Sequence, residues 1–147
     1  CPVGRGVIQQ SLTLAFTERQ TIVIEGLEPQ RTDKPWGYEL LIARTSLYVG
    51  KILHVNAGHA LSLQYHEKKD ETIYLHAGKA LLHHGDSAAG LVSKELVPGA
   101  SVHIPPGTLH RLEAITGCDF FEVSTPHLED VVRLEDRYGR VSSTPKS

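Results

Sequence analysis

The sequence predicts an all-β fold, a small antiparallel barrel or sandwich. Short alternating or β-branched runs recur along the chain, and Gly, Pro, Asn or Asp interrupts them at short intervals. No stretch before residue 127 carries an apolar stripe at helical spacing. Regularly spaced short strands that each bury one face characterise sandwiches and barrels.

The elements follow in order. Residues 1–33 form an N-terminal arm with extra strands expected at "SLTLAF" and "TIVIEGL", and the loop "EPQRTDKPWGYE" that follows carries the only tryptophan, Trp36. Residues 34–140 form the barrel, with strands expected at "YELLIA", "LYVGKILHV", "LSLQYH", "TIYLHAG", "KALLHH", "GLVSKELV", "SVHIP", "HRLEAI" and "DFFEVSTP". Leu128, Val131, Val132 and Leu134 then fall at roughly helical spacing, so the segment "HLEDVVRLEDRYGR" reads as a short helix or an irregular hook. Residues 141–147 read as a frayed tail.

Composition narrows the function. A length of 147 residues suits one domain with its own core, and 40% apolar with 22% charged residues describes an ordinary globular protein. No apolar run approaches the length that spans a bilayer, so no membrane partner is expected. Fifteen basic against seventeen acidic residues give a net charge of -2 without a dense basic cluster, so no nucleic-acid partner is expected either. Two cysteines, Cys1 and Cys118, are too few for a disulfide framework; with no secretion signal near the start, a reducing, cytoplasmic setting is expected. Nine histidines spread along the chain are the compositional oddity, and they direct attention to ligands.

In "SLQYHEKKDE" side chains alternate, so Ser62, Gln64 and His66 share one face of a strand while Leu61, Leu63 and Tyr65 share the other. On a one-sided sheet the polar row would simply face water. The next strand presents Glu71, Ile73 and Leu75 on one face, and "EKKD" can turn the chain so that Glu71 returns beside His66. An imidazole, an amide oxygen and a carboxylate then converge, a donor set suited to a metal.

Taken with its glycines, this stretch places Gly58, Gln64, His66, Glu71 and Gly78 at fixed spacing, and a second pattern follows with Gly99, Pro105, Gly107 and His110. The pair resembles the two motifs of the cupin superfamily, antiparallel barrels (double-stranded β-helices) that bind a metal inside. The resemblance implies Gln64, His66, Glu71 and His110 as ligands of one divalent ion, with Zn, Mn, Co and Fe(II) all compatible. "KPWGYE", "LSLQYH", "IPPGTLHRLE" and "EDVVRLEDRYGR" further resemble the C-terminal cupin domain of type II mannose-6-phosphate isomerases, in which glutamine replaces the first histidine of the first motif. The nucleotidyltransferase domain to which such cupins are usually fused has no room here, so a stand-alone domain is expected. Ala114 stands where that family often has asparagine.

The activity implied is aldose–ketose isomerisation of a sugar or sugar phosphate through a metal-stabilised enediolate. Two alternatives remain at this level: a non-haem Fe(II) dioxygenase, because His66, Glu71 and His110 make a two-histidine, one-carboxylate triad, and a non-catalytic sugar-binding cupin. Lys51 shares a strand face with Val49, Leu53 and Val55, where it binds an anion or transfers a proton unless it snorkels to the surface. Arg133 and Arg140 are candidates to hold a phosphate at the barrel mouth, against pairing with Glu129 or Asp136 on the surface. Alternation turns Arg111 away from the lumen into a structural ion pair. His54 and His59 are weaker candidates beside the site. A homodimer is expected, covering unsatisfied edges of the N-terminal strands.

Overall fold

The computed structural model describes residue 24 and residues 26–142. Among them are eleven strands and no α-helix: β1 (Gln30–Lys34), β2 (Gly37–Arg44), β3 (Val49–Val55), β4 (Leu63–Tyr65), β5 (Glu71–Ala77), β6 (Ala80–Gly85), β7 (Val92–Leu96), β8 (Ser101–Ile104), β9 (Leu109–Ala114), β10 (Cys118–Ser124) and β11 (Val132–Glu135). They make two antiparallel sheets, one of six strands in the order β1-β2-β3-β10-β5-β8 and one of five in the order β11-β4-β9-β6-β7. The chain crosses repeatedly from one sheet to the other, for instance between β4 and β5 and between β9 and β10, so both sheets contribute to one interior.

Alternation decides what fills that interior. In β5 Glu71, Ile73 and Leu75 are buried while Tyr74 and His76 are exposed. In β10 Cys118, Phe120, Glu122 and Ser124 are buried. Register then sorts the interior along the strand direction: Phe120 pairs with Leu53 on one side and Leu75 on the other, whereas Glu122 pairs with Lys51. One end is therefore an apolar core that includes Phe120, Leu75, Leu82, Leu96 and Leu112, and the other end holds polar side chains. Each fully buried large apolar side chain contributes ~1.5–3 kcal/mol, enough to support the burial of charge beside it.

Two motif glycines are required by backbone geometry. Gly78 has φ +93°, and a Cβ there would sit 2.2 Å from the Gly117 carbonyl oxygen. Gly107 has φ +82°, and its N–H donates to the His66 carbonyl at 2.7 Å, which ties the second motif to the first.

At the N-terminal side, β1 pairs with β2 from Gln30↔Leu41 to Lys34↔Gly37, so the last residues of the arm extend the six-stranded sheet. The "SLTLAF" strand lies outside the described residues, as do most of "TIVIEGL" and residues 143–147 of the expected tail.

At the C-terminal side the expectation of a short helix is corrected. Val132–Glu135 is a strand that pairs antiparallel with β4, with Val132 opposite Tyr65 and Arg133 opposite Gln64. Adjacent β-branched Val131 and Val132 favour extended backbone, and the open edge of β4 supplies hydrogen-bond partners that a marginal helix of this length lacks. The hook reading stands: the Asp136 carboxylate accepts from the Arg140 backbone N–H at 2.7 Å, and Tyr138 Oη lies 2.7 Å from His59 Nδ1.

Candidate metal centre and its cavity

The polar end of the interior encloses a cavity of about 150 Å³. Arg133 in β11, Gln64 in β4 and His110 in β9 are successive register partners, so they form one row across the five-stranded sheet. His66 follows β4 directly, and Glu71 opens β5 in the opposite sheet. The intervening turn brings the two together: His66 Nε2 lies 3.2 Å from Glu71 Oε1, and His110 Nε2 lies 3.0 Å from the same oxygen. All three residues are buried, with their donor atoms within 4.8 Å of one another.

Neighbouring carbonyls set the tautomer of both rings. His66 Nδ1 donates to the Asp130 carbonyl at 2.5 Å and His110 Nδ1 to the Thr108 carbonyl at 2.8 Å. A carbonyl can only accept, so each proton sits on Nδ1 and each Nε2 lone pair faces the site. Two lone pairs and a carboxylate oxygen aimed at one point repel each other, and a cation placed among them removes that repulsion. The donor set therefore fits a divalent ion. Gln64 lines the same cavity, its carboxamide Oε1 accepting from Ser62 Oγ at 2.6 Å.

Glu71 Oε2 is taken by a residue that the sequence reading left in a charged turn. Lys69 is 7% exposed, with Nζ 2.9 Å from Glu71 Oε2 and hydrogen-bonded also to Glu122 Oε1. Burial opposes ionisation of Glu71, but the hydrogen bond from Glu122 and the charge on Lys69 work against it, and the carboxyl is held well below its ordinary range. Burial and the hydrogen bond to Glu71 push Glu122 up to about 7. Burial works against the Lys69 ammonium too, and Glu122 and Glu71 outweigh it, so its pKa is raised. Lys69, Glu122 and Asp130 were all missed from sequence. Only Glu122 left a signal there, since it alternates with Phe120 and Ser124 on the inward face of its strand.

Lys51 points into the cavity rather than snorkelling out: its side chain is 13% exposed and its Nζ is 3.3 Å from Glu39 Oε1. Arg140 lines the cavity but is held by Asp136 through Nε at 2.9 Å and Nη2 at 3.0 Å. Arg133 also lines the cavity and makes no ion pair among the described residues; its Nε is buried with no hydrogen-bond partner. Arg111 makes the expected ion pair, with Glu135 at 3.6 Å, while still bordering the cavity. His54 pairs with Asp119 and His59 with Tyr138, and neither lines the cavity.

Two antiparallel sheets around a buried cluster of polar residues define the chain as a cupin, a double-stranded β-helix. Solved structures share that fold. The capsular polysaccharide assembling protein CapF from Staphylococcus aureus matches with a TM-score of 0.65 at 16% identity, over 76% of this chain and 35% of that one. Oxalate decarboxylase from Lactobacillus farciminis matches with a TM-score of 0.62 at 18% identity, over 72% and 33%. Residues 26–136 match the family described as mannose-6-phosphate isomerase C-terminal, and the chain belongs to that family. The mannose-1-phosphate guanylyltransferase ManC of Salmonella typhimurium is 39% identical over 113 residues, which are 74% of this chain and 22% of ManC. The xanthan biosynthesis protein XanB of Xanthomonas campestris pv. campestris is 31% identical over 112 residues, 73% of this chain and 23% of XanB. The chain thus spans less than a quarter of the length of these relatives. No helix among the described residues is long and apolar enough to cross a membrane.

Proposed function

We propose that the chain is a metal-dependent isomerase domain that interconverts an aldose phosphate and its ketose, with mannose 6-phosphate the first substrate to test. The observation that carries this reading is the convergence of His66, His110 and Glu71 in a cavity whose wall holds the unpaired Arg133. Six Lys or Arg side chains line the cavity against three Glu carboxylates, an excess of positive charge that suits an anionic substrate. ManC is a mannose-1-phosphate guanylyltransferase, which supports a mannose phosphate as the first substrate to test.

In this reading His66, Glu71 and His110 hold one ion, Zn, Mn, Co or Fe(II), and Gln64 offers a weak neutral fourth ligand. When bound, the ion supplies Lewis-acid stabilisation of negative charge that develops on neighbouring sugar oxygens. Arg133 binds the phosphate, and Arg140, fixed by Asp136, adds positive charge at the mouth. The Lys51–Glu39 pair holds the proton that moves between the sugar carbons, with Glu39 as acceptor and Lys51 as donor to a sugar oxygen.

Proton exchange into deuterated water, followed by NMR over a panel of aldose and ketose phosphates, tests the reading, with oxygen uptake monitored in parallel. Metal-dependent exchange without oxygen uptake is expected. Iron-dependent oxygen uptake would instead identify an oxygenase, and neither signal with tight sugar binding would identify a binding module.

We also propose a homodimer that forms along β1. Among the described residues this strand pairs on one side only, with β2. Antiparallel self-pairing centred on Thr32 sets Arg31 of each copy opposite Asp33 of the other, a charge match that supports the edge as a self-complementary contact. Sedimentation should show a dimer, and Thr32→Pro a monomer; a monomeric wild type contradicts it. The buried free thiol of Cys118 suits the reducing cytoplasm proposed for the chain.

A further inference from the structure

We infer that Lys69 restricts Glu71 to ligation through a single oxygen, and so keeps one coordination position open for substrate. The inference rests on the metal site proposed above and assigns a positioning role to a residue outside the ligand set.

The two oxygens of Glu71 have different partners. Oε1 faces both imidazole Nε2 atoms, at 3.2 Å and 3.0 Å, whereas Oε2 lies 2.9 Å from Lys69 Nζ. Carboxylates bind cations through one oxygen or two, and a free Glu71 could swing Oε2 inward to fill a second position. Lys69 prevents that because it is pinned at both ends. Its backbone N–H donates to Asp130 Oδ2 at 2.8 Å, and its ammonium is shared with Glu122, itself buried in the neighbouring strand. Withdrawing Oε2 would leave a buried ammonium short of a partner, which costs far more than the same loss in water. A catalytic ion needs a vacant position for its substrate, and the ion pair supplies one without any change in the ligands.

Cobalt(II) loading tests this independently of activity, because visible d–d absorption weakens as coordination number rises. Wild type should bind one cobalt per chain with the intense band of a low-coordinate site. Lys69→Met should bind cobalt at least as tightly, with a weaker band, and Lys69→Arg, which keeps a donor to Oε2, should restore the wild-type spectrum. A merely structural Lys69 would instead loosen cobalt in the Met variant without changing the band. A structure of the cobalt-loaded wild type decides the matter even if the Met variant does not fold: one Glu71 oxygen on the ion supports the role. Two oxygens on the ion, or identical Met and wild-type spectra, overturn it and leave the metal site standing. No cobalt uptake by the wild type overturns both.

Discussion

The Asp130 carbonyl accepts a 2.5 Å hydrogen bond from His66 Nδ1, and the Asp130 carboxylate accepts from the backbone N–H groups of Glu67, Lys68 and Lys69 at 3.0, 2.6 and 2.8 Å. One residue beyond β10 thereby holds both an imidazole and the turn that delivers Glu71. Asp130→Ala keeps the carbonyl that binds His66 but removes the carboxylate that ties down the turn before Glu71, and it should lower zinc affinity about tenfold, the low end for lost support around a ligand, with the fold retained. Competition against a chromogenic chelator measures it, and unchanged affinity would remove Asp130 from the account.

Arg133 is half-buried and lines the cavity, and its buried Nε has no hydrogen-bond partner. A hydrogen bond between charged groups contributes ~1.5–3 kcal/mol, so Arg133→Gln should raise KM for the phosphorylated sugar by roughly ten- to a hundredfold. Metal content should stay at the wild-type level. Steady-state kinetics on phosphorylated and unphosphorylated sugars separates the outcomes: an equal loss on both would contradict phosphate binding.

Asp136 makes the hook sensitive to acid. Burial opposes its ionisation, but the side-chain and backbone hydrogen bonds from Arg140 outweigh this and hold the carboxyl below its ordinary 3.8. A depressed folded pKa gives stability that is fully present above the unfolded value and is lost as pH falls through the folded one. The difference in unfolding free energy between wild type and Asp136→Asn should therefore be full at about pH 6 and smaller at about pH 2. Urea titrations at both pH values check this, and a difference that grows on acidification would reverse the sign of the argument.

Phe120 is fully buried between register partners Leu53 and Leu75. Phe120→Ala should cost ~3–5 kcal/mol through lost transfer energy and the cavity left behind. Urea denaturation of the metal-free chain reads it directly. A cost below about 1 kcal/mol would mean that this end of the barrel is not the packed core.

Period-two alternation made much of this legible in the sequence. It places Gln64 and His66 on one face and Glu71 with Ile73 and Leu75 on another, and the structure brings His66 and Glu71 within 3.2 Å. The tail was harder, because Leu128, Val131, Val132 and Leu134 fit a helix as well as a strand, and only the open edge of β4 decides between them. Lys69 was hidden for another reason: a lysine in "EKKD" reads as solvated until two buried carboxylates, one of them 53 residues away in sequence, are seen to close around it. The Asp130 carboxylate binds backbone N–H groups of Glu67, Lys68 and Lys69, and such partners carry no residue-type signal.

Metal content tests the central claim most directly. Wild type and the His66→Ala and His110→Ala variants, each dialysed against zinc, manganese, cobalt or iron(II), are analysed by mass spectrometry for metal per chain. The site on His66, Glu71 and His110 is expected to carry one ion per chain in the wild type and to lose most of it in both variants. Full metal content in both variants, or none in the wild type with any of the four ions, would contradict it.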